Sequence, residues 1–66
     1  MEDIEKIKRL IEHWAEHNIE HAKTYYEWAE KAKASGNNKL HEILIEIADM
    51  TKKMDSLFQR AKDLVK

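Results

Sequence analysis

The chain has no cysteine. Neither a disulfide framework nor a thiolate metal site can therefore hold it together. Proline is absent as well, and Gly36 is the single glycine, so there are few places where a long helix would be forced to stop. No apolar run approaches the ~18–20 residues needed to cross a bilayer. The acidic opening Met1-Glu2-Asp3 carries no signal-peptide pattern. These absences lead us to expect a cytoplasmic protein without membrane partners. A basic excess is missing too: 12 Lys and Arg face 13 Asp and Glu, for a net charge of −1. That balance argues against a nucleic-acid partner.

What is present is dense mixed charge, 38% of a 66-residue chain. So short a chain makes a single domain, 1–66, and has difficulty burying enough surface without a staple. With disulfides gone, the remaining staples are a second chain, a metal held by His and carboxylates, or well-matched helix packing. The composition favours long helices.

Residues 4 to 34 contain no helix breaker, and Asp3 is the expected N-cap. Gly36 suits the left-handed position after a helix, and Asn38 suits the cap of the next one. The expectation is an all-α antiparallel two-helix hairpin, with helices at about 3–34 and 39–65. Three-and-four spacing marks an inward stripe on the first helix: Ile4, Ile7, Ile11, Trp14, Asn18, His21, Tyr25, Trp28, Ala32. On the second the stripe runs Leu40, Leu44, Ile47, Thr51, Met54, Phe58, Ala61, Val65.

Both stripes are apolar at their ends and polar in the middle. Folding the chain about Gly36-Asn37 sets residue n opposite about 73 − n. Asn18 then approaches Asp55, and His21 approaches Thr51 and Lys52. Trp14 meets Phe58, and Trp28 meets Leu44. The expectation is a central polar layer of Asn18, His21, Thr51 and Asp55, which fixes register as single polar core residues do in coiled coils. The second helix carries a further apolar row, Ile43, Met50, Leu57 and Leu64, which one hairpin interface cannot cover. A second copy would cover it, giving a homodimeric four-helix bundle. A bend near Asn18, giving three helices, is the alternative, although no Gly or Pro supports it.

The stretch His13-Trp14-Ala15-Glu16-His17-Asn18-Ile19-Glu20-His21 puts three histidines four apart. Such pairs share a helical face and can share a metal. His17, His21 and Asp55 make one candidate set, and His13, His17 and Glu20 a second, outer one. Both have ligand types suited to Zn, Ni or Co. His41 lies far along the rod and reads as a surface or boundary residue.

Enzyme chemistry finds little support. No histidine has a glutamate three residues before it, as di-iron bundles require. His41-Glu42 is followed by Ile43, Leu44 and Ile45, so the HExxH zinc motif is absent. There is no Gly-rich phosphate loop, and no motif sets a base beside Ser35 or Ser56. Trp14, Tyr25 and Trp28 fall on the inward stripe, which favours packing over a small-molecule pocket. The second helix is mildly basic and the first acidic between Glu12 and Glu30, a split that can orient partners.

The motif His13-Trp14-x-x-His17-Asn18-x-x-His21-Ala22-x-x-Tyr25-x-x-Trp28-Ala29 resembles one found in small archaeal and bacterial helical-hairpin proteins. The likeness covers residues 10 to 34 well, and the second helix only in pattern. It implies no activity. It does imply metal handling at His13, His17 and His21. The function expected from the sequence is a non-enzymatic interaction or scaffold protein, working as a homodimer or with a protein partner. The alternative is a transition-metal binding protein that uses the histidine row. A regulator acting through protein contacts in a larger complex is a third reading.

Overall fold

The structure is a computed structural model that describes residues 2–65. Two helices account for nearly all of it: α1, Glu2–Ala34, and α2, Asn38–Leu64. They pack antiparallel into a rod of 53 × 14 × 11 Å. α1 runs unbroken through Asn18, so the described residues form two helices and not three. No helix among them is long and apolar enough to cross a membrane.

The turn follows from two consecutive residues, Gly36 and Asn37. Gly36 has φ +84°, which a residue with a Cβ adopts only at a cost. Its N–H donates to the Lys33 carbonyl, and the Asn37 N–H donates to the Ala32 carbonyl, both at 3.0 Å. This is the Schellman arrangement that satisfies the last carbonyls of a helix. Asn37 then caps α2: its Oδ1 accepts from the Leu40 N–H at 3.1 Å. The cap is thus Asn37 and not Asn38, because the same residue closes α1 through its N–H and opens α2 through its side chain. At the other end, α1 already includes Glu2, so Asp3 lies within the first turn instead of capping it.

The seam between the helices differs from the inward stripe read in the sequence. Its buried members on α1 are Ile11, Ala15, Asn18, Ala22, Ala29 and Ala32. On α2 the buried residue is Ala48, flanked by half-buried Leu44, Thr51, Asp55 and Phe58. Alternate members in the central part of each expected stripe are displaced by one position. Ala15, Ala22 and Ala29 replace Trp14, His21 and Trp28. On α2, His41, Ala48 and Asp55 replace Leu40, Ile47 and Met54. Trp14 is 49% exposed and Trp28 55%. The reason is steric. Two helices alone present one narrow mutual surface, and small side chains let them approach closely there, whereas indole rings would hold them apart.

Candidate association face and histidine row

The displaced large residues share one side of the hairpin. On α1, Ile7, Trp14, His21 and Trp28 recur every seven residues and are all exposed. On α2, Leu40, Ile43, Ile47, Met50, Met54 and Leu57 alternate at three and four, and all are exposed. Trp28 and Leu40 border the same depression beside the turn, which places the two rows on a common face. Across the seam, at 100° per residue around the helix, lies a different groove, bordered by Ile19, Lys23, Tyr26, Lys52 and Asp55. The face itself is wide and apolar, with His21 near its centre.

The central polar layer forms in part. Asn18, 8% exposed, donates from Nδ2 to the Thr51 backbone carbonyl at 2.7 Å. The Thr51 hydroxyl turns back along its own helix to the Ile47 carbonyl at 2.8 Å. Asp55 is half-buried, and its Oδ1 has no hydrogen-bond partner among the described residues. His21 is not in this layer. It is exposed, and its ring stacks on Tyr25 at 6.1 Å between centroids and 17° between planes. The cause is the rotation of the seam, which puts Ala22 where His21 was expected.

His13, His17 and His21 are exposed and run as a ladder along α1. Ring centroids are 4.2 Å apart for His13 and His17, and 6.3 Å apart for His17 and His21. Glu20 is exposed. Among the described residues, no three His, Cys, Asp or Glu side chains converge as a metal site would need. The expected set of His17, His21 and Asp55 is therefore not assembled, and neither is His13, His17 and Glu20. Asp55 borders the groove beyond the seam, on the other side from the apolar face.

Three further contacts tie the helices or their edges. His41, half-buried, bonds through Nδ1 to the Ala29 carbonyl at 2.7 Å. A carbonyl can only accept, so Nδ1 carries the proton. The Tyr26 hydroxyl donates to Asp49 across the helices. That bond, together with burial and the carboxylate charge, raises the tyrosine above its ordinary 10.0. Lys31 Nζ lies 4.1 Å from the Trp28 ring centroid, a cation–π contact at the border of the apolar face. The hydroxyls of Ser35 and Ser56 donate to the carbonyls of Lys31 and Lys53 on their own helices.

A larger apolar or aromatic residue beside most of its members masks the alanine seam in the sequence. Its signal was present: Ala15, Ala22 and Ala29 stand seven apart.

A family profile described as Domain of unknown function (DUF8180) matches residues 7–65. The chain belongs to the DUF8180 family. The match takes in the histidine row, the turn and all of α2, and leaves out the first residues of α1. No curated protein and no solved structure matches it.

Proposed function

We propose that this chain is a small non-enzymatic interaction module whose working form is a pair of hairpins, packed face to face as a four-helix bundle. The observation that carries the reading is the wide apolar face left open by the single chain. Among the described residues thirteen large apolar side chains are exposed, and most of them lie on that face, whereas five of the six buried apolar residues are alanines. A chain that encloses its alanines and displays its tryptophans is built to be covered.

The area supports a second copy as the cover. The accessible surface is 5549 Å² for 7.9 kDa, whereas globular monomers of that mass expose about 4,400 Å². Bringing each copy down only to that norm removes about 1,100 Å², or about 2,200 Å² for the pair, which is in the range of obligate homodimers. The rows also suit self-association, because a two-fold axis needs one patch that complements itself. Trp14 and Trp28 are anchors of the type that dominates interface energetics.

Sedimentation equilibrium between micromolar and millimolar concentration tests this, with EDTA present throughout. Dimer is expected to accumulate with concentration, and tryptophan emission to shift to the blue in step. The variant Ile47→Glu/Met54→Glu should stay monomeric and helical by circular dichroism. A wild-type chain that remains monomeric to millimolar concentration would overturn the proposal.

A further inference from the structure

The histidine row acquires a specific place once two hairpins meet. Asn18 reaches Thr51, Tyr26 reaches Asp49, and His41 reaches Ala29. This register sets the end of α2 at Leu64 beside about residue 8 of α1, so the paired part of α1 runs from there to Ala34. His21 stands at the middle of that length. A two-fold axis across the rod through its middle returns the level of His21 to itself. An axis along the rod leaves every level unchanged. Either way, His21 of one copy meets the level of His21 of the other, and His17 follows within about one helical turn.

Covering the face would then bury an imidazole at the centre of an apolar seam, between Trp14 and Trp28. A buried polar group without a partner costs free energy, so assembly needs something to engage it. Among the described residues, one chain does not bring three ligand side chains together. It does hold His17 and His21 four residues apart, with ring centroids 6.3 Å apart, on and beside the apolar face. Two copies would supply four imidazoles, the donor number of a closed tetrahedral zinc site. Among the described residues no other cluster competes for the role: Asp55 borders the opposite groove, and His41 is engaged by Ala29.

We infer that His17 and His21 of two copies form one divalent transition-metal site, of the Zn²⁺ class, across the dimer axis. The inference rests on the dimeric reading above. Nothing is oxidised or transferred; the metal acts as a clamp that satisfies the central histidines and adds to the apolar contact. Because the site exists only in the dimer, free metal at 100 times its dissociation constant raises the apparent association constant about 100-fold.

Calorimetric titration of the purified full chain with ZnCl₂ tests this, paired with sedimentation in ZnCl₂ and in EDTA. The expected result is half an equivalent of zinc per chain, with the monomer–dimer equilibrium shifted about 100-fold toward dimer. His17→Ala/His21→Ala should lose both effects. It should remain helical, since both side chains are exposed in the single hairpin. His13→Ala should retain both effects. One equivalent per chain on a monomer, or loss of binding in His13→Ala, would place the metal on the outer pair of a single chain and overturn the inference. Absence of zinc binding would overturn it too, while the EDTA arm reports separately on whether the hairpins pair at all.

Discussion

Replacing Ala48 with leucine should destabilise the hairpin itself, and the size of the loss follows from the seam. Ala48 has no exposed surface, and neither does Ala29. Small side chains there let the two helices lie close. Leucine adds three carbons at a point with no room, and overpacking of this kind costs about 1–3 kcal/mol. A chain of this size rarely holds more than about 3–5 kcal/mol in total from a single core, so the loss takes a large share. The melting temperature should fall by roughly 7 °C per kcal/mol for so short a chain, or about 7–20 °C. Circular dichroism at 222 nm, followed through thermal unfolding at several chain concentrations, is the assay. Concentration matters because association with a second copy raises apparent stability by mass action. Ile47→Ala is the control, one position earlier and 41% exposed. Its cost should fade on dilution, where the single hairpin dominates, whereas the cost of Ala48→Leu should persist. An Ala48→Leu chain that melts at or above the wild type would refute the seam. So would an Ile47→Ala loss of about 2–5 kcal/mol that survives dilution, since that is the mark of a buried core isoleucine.

Gly36→Ala should cost about 1–2 kcal/mol in urea unfolding. Nothing lies within 4 Å of the Cβ it would add, so the loss comes from the φ of +84° alone; an unchanged midpoint would contradict this account of the turn. Asn18→Ala should cost about 1 kcal/mol through loss of the bond to the Thr51 carbonyl, measured by the same method. In alkaline titration followed by tyrosinate absorbance, Tyr26 should ionise above 10.0 because of its bond to Asp49, and Asp49→Asn should lower that midpoint. The sign follows from linkage. A raised folded-state value contributes stability that is fully present below 10.0 and is lost as pH climbs through the folded-state value. A Tyr26 midpoint that does not move in Asp49→Asn would remove the assigned cause.

The hairpin was legible because its signals are local. An unbroken run to Ala34, Gly36 for a left-handed bend, and an asparagine beside it leave the backbone few alternatives. Even so, the cap fell on Asn37, since its N–H and side chain together close both helices within three residues. Of the residues read as a polar layer, Asn18 bonds the Thr51 backbone carbonyl across the seam, Asp55 is half-buried beside it, and His21 is exposed. One hydrophobic pattern fits two seams that differ by a single position in alternate members of their central part. Periodicity says that a stripe exists, and it tolerates a rotation of about half a position around the helix.

The sequence by itself determined the helices, their lengths and their antiparallel order, because capping, helix propensity and the lack of breakers act within a few residues. It also determined that more apolar surface exists than one hairpin interface can cover. Only the tertiary structure decided which surface goes inside. Close approach of two backbones is a property of the pair, and it selects Ala15, Ala22, Ala29 and Ala48 over the larger residues beside them. That choice turns Trp14, His21 and Trp28 outward, and with them the face on which a partner would be met.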